Sequence, residues 1–352
     1  MVSEHAKEAV VLLKNMISIP SFSREEQKIA DWLQRYIELQ GYTVSRKGNN
    51  LWLMSPGYSA DRPTLLLNSH LDTVKPVQGW THEPFRPTLV GDKLYGLGSN
   101  DAGASLVSLL QVFFILSSRP QAYNLIFAAS AEEEISGSNG IESLLTELPS
   151  IDFAIVGEPT QMNVAVAEKG LMVLDCVAYG QSGHAAHGNG VNALYKAIDA
   201  IDWFRTFEFP RKTEFLGPVK MTVTQINAGT QHNVIPDKCS FVVDVRSNEM
   251  YSNQEVLDLI QQVVDCEVTA RSTRLSSTAS PLDHPVIIQA QQLNRKLFGS
   301  PTLSDQALMP FPSVKMGPGE SSRSHTANEF IKLQEIEEAI EVYLGLLDGL
   351  KW

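Results

Sequence analysis

"LLLNSHLDTV", residues 65–74, joins two features that decide the fold. An apolar run, of the kind buried on both faces of a parallel sheet, leads straight into His70 and Asp72. In an extended chain residues i and i+2 project to the same face, so this imidazole and carboxylate can face one point in space. A metal-bound imidazole commonly has a carboxylate or carbonyl at its other nitrogen. A polar strand end turned towards water would explain the same pair. Two further runs share the texture, "YNLIFAAS" (123–130) and "DFAIVGEP" (152–159). Helical stretches, "GASLVSLLQVFFILSS" (103–118) and "GSNGIESLLTEL" (137–148), lie between the three. This alternation predicts right-handed crossovers and an α/β sandwich: a mostly parallel central sheet between helices.

Working outward, apolar residues recur at helical spacing from Glu4 to Met16, and Pro20 stops that helix. "SREEQKIADWLQRYIELQ" (23–40) predicts a second helix, with Ser23 as N-cap, Glu26 completing a capping box and Gly41 as the stop. Strands are expected within 42–48 and 50–56. After Glu168 the pattern becomes strand (170–180), helix (191–207), strand (219–229), strand (239–247), helix (252–264) and strand (267–275), a ferredoxin-like β-α-β-β-α-β order. The α/β texture returns near residue 280, with a helix over 284–299, a strand over 313–319 and a closing helix over 333–350. The expectation is a discontinuous catalytic domain, 1–167 with 280–352, carrying an inserted domain at 168–279.

Composition narrows the function classes. The 352 residues are 43% hydrophobic and 19% charged, enough for full cores and against disorder. A net charge of −12 argues against nucleic acid or an anionic membrane as the main partner. No run of 18 continuous apolar residues predicts a membrane span. The first 20 residues mix acidic and basic groups in an amphipathic pattern unlike a secretory leader. Cys176, Cys239 and Cys266 are odd in number and widely spaced, which suits free thiols in a reducing cytoplasm. Neither G-x-G-x-x-G nor G-x-x-x-x-G-K occurs, which removes the main argument for a nucleotide binder.

Each buried strand of the first domain ends in chemistry. Besides His70 and Asp72, "YGLGSNDAG" brings Asp101 to a Gly-rich corner, Glu132, Glu133 and Glu134 follow the 123–130 strand, and Glu158 follows the 152–159 run. Singly, Asp101 could cap a helix, the triple acid could be a solvated turn, and Glu158 could be a surface acid before Pro159. In open α/β sheets, however, ligands bind off the carboxyl ends of the strands. Carboxylates converging there repel one another unless cations neutralise them. A mixture of His and carboxylates suits Zn²⁺, and also Co²⁺ or Mn²⁺.

Taken in order, His70-x-Asp72, Gly98-Ser99-Asn100-Asp101, Glu133-Glu134, Gly157-Glu158-Pro159, "MGPG" and Ser324-His325-Thr326 resemble the M20 family of metallopeptidases and amidohydrolases. Within it the resemblance is to acetylornithine deacetylases and succinyl-diaminopimelate desuccinylases, and it covers essentially the whole chain. It implies a zinc-peptidase-like catalytic domain with an inserted lid and dimerisation domain. It further implies two divalent metals bridged by Asp101, one completed by His70 and Glu158, the other by Glu134 and His325. Asp72 would orient His70, and Glu133 would be the general base. The triple acid allows base and ligand to be 132/133 or 133/134; Gly140 downstream favours the latter. In the inserted domain, "GQSGHAAHGNG" matches a segment whose His, here His184, reaches across a dimer interface, although the family's following Pro is missing. A loop histidine is the plain alternative. Asn233 and Arg246 match positions that hold the substrate carboxylate, a strand-end ion pair being the alternative for Arg246. Gly317 would admit close backbone approach to substrate. The implied activity is amide hydrolysis of a small N-acyl amino acid by a cytoplasmic homodimer, N-acetylornithine or an acyl-ornithine or acyl-citrulline in arginine biosynthesis. Desuccinylation of diaminopimelate and dipeptide cleavage are the neighbouring activities. A non-catalytic binding module would be expected to have lost ligands, and all are present.

Overall fold

A computed structural model of the chain describes residues 2–352, with side chains from Glu4 onwards. It divides into two compact units. One holds the chain up to Val166 together with Ser280–Phe298 and Ser304–Trp352; the other holds Ala167–Ala279 and Gly299–Leu303. Residues 299–303, expected in the first, cluster with the second. There Ser300 accepts the Lys169 N–H at 3.0 Å, and a Cβ on Gly299 would stand 2.2 Å from the Phe215 carbonyl. The single helix expected over 284–299 is also corrected. It runs only over Pro285–Gln292; Asn294 turns left-handed (φ 57°), and Leu297–Ser300 is a strand.

In the first unit the sheet order is Ser45–Lys47, Asn50–Met54, Asn124–Ser130, Thr64–His70, Phe153–Val156, Ser313–Lys315, Val164–Glu168. Its middle four strands are parallel and its flanks antiparallel, so the sheet is mixed rather than mostly parallel. Gly48 and Asn49 alone join the first two strands, and a link that short permits only an antiparallel pair. Every residue of Thr64–His70 and Asn124–Ser130 is buried, as strands covered on both faces require. Ile141, Leu144 and Met309 pack on Leu66, Ile126, Ala154 and Val156 over one face. Helix Ala104–Ser117 packs among Val2–Ile17 and Leu333–Leu347. The Ser99–Ser117 stretch is apolar and long enough to cross a membrane, yet 83% of an 18-residue window in it is buried in the fold, as suits a core segment whose helix is Ala104–Ser117.

A three-stranded antiparallel sheet, Thr88–Val90, Lys93–Tyr95 and Phe330–Lys332, was not expected. It ties the segment after His325 to the residues just before the Asp101 corner.

The second unit is a four-stranded antiparallel sheet in the order Lys220–Ala228, Lys238–Arg246, Met172–Tyr179, Glu267–Ala270. With helices Ala193–Thr206 and Asn253–Val263 this is a ferredoxin-like topology. Alternate residues of Met172–Tyr179 are buried, and Leu174, Cys176, Phe204, Phe241 and Ile260 lie in its core. All three cysteines are free.

Candidate metal centre

The carboxyl ends of the parallel strands bring six side chains together. His70 lies against Asp101, Nε2 to Oδ1 at 3.3 Å, and 3.6 Å from a Glu158 oxygen. His325 lies against Glu134 at 2.9 Å and against the other Asp101 oxygen at 3.5 Å. Ligand atoms of His70, Asp101 and Glu158 all fall within 4.8 Å of one another, and so do those of Asp101, Glu134 and His325. Asp101 belongs to both clusters, with one oxygen directed to each imidazole. Glu133 stands beside them, 4.0 Å from His70 Nε2.

Each corner is held by main-chain hydrogen bonds to a buried acid. Asp72, 1% exposed, accepts the Glu133 N–H (3.0 Å), the Glu134 N–H (3.2 Å) and the Ser23 hydroxyl (2.7 Å). Its own carbonyl takes His70 Nδ1 at 2.9 Å, nearer than its carboxylate at 3.5 Å. This carbonyl fixes the tautomer and turns Nε2 to the cluster. Glu132 faces away. Its carboxylate accepts Asn139, its φ is 55°, and Gly137 leaves it room, because a Cβ there would lie 1.9 Å from Glu132 Oε2. Glu133 and Glu134 are therefore the pair that the turn presents.

Ser23 is not the helix N-cap expected from its spacing. Its hydroxyl is committed to Asp72, and helix Gln27–Leu39 starts without a side-chain cap. Glu26 is likewise drawn inward: fully buried, it accepts the N–H groups of Arg24 (2.7 Å) and Glu132 (3.1 Å) and the Asn49 amide (2.9 Å). A buried carboxylate with three donors outcompetes a solvent-exposed capping box.

The electrostatics follow from burying these acids together. Burial works against a charged His70, but Asp101, Asp72, Glu133 and Glu158 overcome it and hold its pKa well above the usual imidazole value. Burial lifts the Glu133 carboxyl well up against the pull of His70, with Glu158, Asp305 and Glu134 adding to the rise. Burial also pushes Glu158 up to about 8. Hydrogen bonding to Glu134 raises His325 to about 9. Glu133, Glu158 and both imidazoles are thus driven to hold protons, whereas His70 outweighs burial at Asp101 and Asp72 and holds these carboxyls below their usual range. The cluster is short of positive charge, and its donor set, two His and three carboxylates of which Asp101 is shared, fits a pair of divalent cations.

The remaining expected site residues are placed as follows. Gly317 serves the centre from behind. Its N–H donates to the Thr160 hydroxyl (3.1 Å), its carbonyl accepts the Thr160 (3.1 Å) and Met162 (2.9 Å) N–H groups, and a Cβ would stand 2.5 Å from the Glu158 carbonyl. In the second unit His184 is exposed, and its Nδ1 accepts the Ala186 N–H at 3.1 Å, which leaves the proton of a neutral ring on Nε2. Arg246 forks onto Asp244 at 2.8 and 3.0 Å. Asn233 is exposed, and its carbonyl accepts the Ala185 N–H at 3.0 Å.

Sequence reasoning missed Glu26, Glu329 and Asp305. Asp305, 4% exposed, accepts the Ser130 hydroxyl, and burial lifts it to about 7. The nearest signal for Glu329 was its place four residues after His325 in "SHTANEF".

Comparison with known proteins places the chain in a family. The model of Peptidase family M20/M25/M40 matches residues 66–349. An acetylornithine deacetylase from Proteus mirabilis is 28% identical over 97% of this chain and 96% of its own length. A succinyl-diaminopimelate desuccinylase from Psychromonas ingrahamii is 23% identical over 97% and 98%. Among solved structures, a Staphylococcus aureus tripeptidase superposes with a TM-score of 0.79 at 20% identity, covering 97% of both chains. A dinuclear metal-binding peptidase of the M20 family from Bacillus subtilis superposes with 0.77 at 16% identity over 98% of each. The chain belongs to Peptidase family M20/M25/M40 and is a hydrolase of amide bonds.

Proposed function

We propose that the chain removes the acyl group from N-acyl amino acids at a dinuclear centre, with N-acetylornithine as the leading substrate and arginine biosynthesis as the setting. The observation that carries the reading is the division of Asp101, one oxygen 3.3 Å from His70 and the other 3.5 Å from His325, which is the geometry of a bridging ligand. His70 and Glu158 would complete one site, Glu134 and His325 the other. Two divalent cations in such a cradle supply Lewis acidity, giving a more acidic water and a polarised carbonyl. The donor set suits Zn²⁺, with Co²⁺ or Mn²⁺ as substitutes.

Glu133 is the proton carrier. It is the one acid at the cluster assigned to neither ligand set, and burial raises its proton affinity well above that of a free carboxylate. It takes a proton from the attacking water and returns it to the leaving amine, a role that needs a pKa near the working pH. Asp72 fixes the main chain of residues 133 and 134, so base and ligand keep one spacing. The acyl-amino-acid preference draws on the curated relatives, named as a deacetylase and a desuccinylase. Arg246 and Asn233 as binders of the substrate carboxylate, His184 as the residue offered to a second subunit, a homodimer and a cytoplasmic location belong to the same proposal. They rest on the family resemblance.

The test is a hydrolysis panel on metal-stripped and Zn²⁺- or Co²⁺-restored protein. It comprises N-acetyl and N-succinyl ornithine, citrulline and diaminopimelate with several dipeptides, and reads released amine. Metal-dependent turnover of an acyl-ornithine or acyl-citrulline is expected. Turnover of dipeptides or of the diaminopimelate derivative alone would overturn the substrate assignment and keep the chemistry.

A further inference from the structure

Glu329 is 2% exposed and lies outside both ligand clusters, yet among the described residues no other side chain touches the Asp101 corner at more main-chain positions. Its Oε1 accepts the Asn100 N–H at 2.7 Å and the Asp101 N–H at 2.9 Å; its Oε2 accepts the Gly98 N–H at 3.0 Å. The corner needs such an acceptor. Gly98 turns left-handed (φ 74°), and Asp101 is extended (φ −119°, ψ 98°), so these N–H groups point inward with no helical partner.

The same short segment also carries His325. Asn328 accepts the N–H groups of Thr81 (2.8 Å) and His82 (3.1 Å), and the Glu329 carbonyl accepts the Gly96 N–H at 3.1 Å. Asn100 reaches back to the turn before His325, donating to the Glu320 carbonyl (3.1 Å) and the Ser324 hydroxyl (3.2 Å) and accepting the Glu320 N–H (3.0 Å). Two ligands 224 positions apart, Asp101 and His325, are thus mounted on one hydrogen-bonded block whose centre is the Glu329 carboxylate.

We propose that Glu329 is a positioning residue that presents Asp101 to both clusters at once, so that it sets the affinity of both metal ions together. The inference rests on the dinuclear reading above. Because Asp101 is the shared residue, a displaced corner lengthens its reach to the His70 and His325 sides alike.

The experiment titrates metal-stripped protein with Zn²⁺ against a chromophoric chelator, for wild type, Glu329→Ala and Glu329→Gln. Amide hydrogen exchange at Gly98, Asn100 and Asp101 is followed in the metal-free protein. Glu329→Ala should weaken both ions about 10–100-fold, the range for residues that orient metal ligands. It should also speed exchange at the three amides. Glu329→Gln keeps an acceptor for Asn100 and Asp101 and should fall between, carrying the test if the alanine variant does not fold. Tyr123→Phe removes a buried hydrogen bond to the Leu347 carbonyl elsewhere in the same unit and should leave both affinities unchanged. Unchanged affinities in folded Glu329 variants, loss at one ion only, or equal weakening by Tyr123→Phe would each overturn the proposal. Wild-type protein that binds fewer than two ions would overturn the dinuclear reading itself, an outcome visible before any variant is made.

Discussion

Asp72 and Arg246 both sit at or just past the end of a strand, and both engage neighbours, but on different terms. Asp72 is buried and holds two main-chain N–H groups of one distant turn and a hydroxyl from another segment. Arg246 is half-buried and, among the described residues, its guanidinium holds Asp244, two residues away on its own strand. Releasing Asp72 would strand buried donors, each costing about 1–3 kcal/mol. Releasing Arg246 would expose a surface pair, an exchange worth about 0–1 kcal/mol. The first unit holds its ligands rigidly; the second keeps its charged residue free to change partners. A metal cradle gains from the former, and the carboxylate recognition proposed for Arg246 needs the latter.

The comparison is broken most sharply at Glu133, which shares the Asp72-held turn but is assigned to chemistry rather than ligation. Glu133→Gln should lower kcat about 10²–10⁴-fold, the range for a positioned general base. Metal content and melting temperature should stay unchanged. Near-normal turnover would remove Glu133 from the base role. At Arg246 the effect should be smaller and of another kind. Arg246→Ala should raise KM about tenfold or somewhat more, as for one lost charge-assisted hydrogen bond, with kcat within a few-fold and full metal content. A fall in kcat at constant KM would show that the second unit's arginine does not bind ground-state substrate.

The smallest effect lies at His284, away from both regions, and calibrates the pH axis. Burial depresses this ring to about 4; it stacks on Phe153 with centroids 3.8 Å apart, and its Nδ1 accepts the Val286 N–H. The folded pKa lies below the unfolded value of about 6.5, so the folded state binds fewer protons between the two. This contribution to stability is complete above about pH 6.5 and is lost as pH falls towards about 4. The loss should be about 1 kcal/mol, because the half-buried ring is partly screened by solvent. Urea denaturation at pH 7 and pH 4.5, compared with His284→Asn, reads it. An equal pH slope in the variant would assign the loss to other groups.

How far the sequence was legible follows from what each signal depends on. The three buried strands and the acids at their ends were readable because apolar runs and strand-end residues are local. The antiparallel pairing of Asn50–Met54 with Asn124–Ser130 and of Ser313–Lys315 with Val164–Glu168 was not, since it depends on which strand lies beside which. Ser23 shows the limit most clearly. Its Ser-x-x-Glu spacing is a true local pattern, but both side chains face a site assembled from residues 72 and 132, and the tertiary partners win. Glu329 carried only its nearness to His325, because an acid that binds three N–H groups of residues 98–101 otherwise has the same sequence signature as one in water.

The insertion of the second unit also has a consequence in time. Glu158 and His325 are 325 − 158 = 167 residues apart. At roughly 5–20 residues per second, a ribosome takes roughly 10–30 s to travel between them. Throughout that interval the growing chain carries Asp101, Glu134 and Glu158 but neither His325 nor the acceptor for the Asp101 corner. The proposed centre is therefore a late product of synthesis, completed by the last-made of its candidate ligands after the second unit has been made in full.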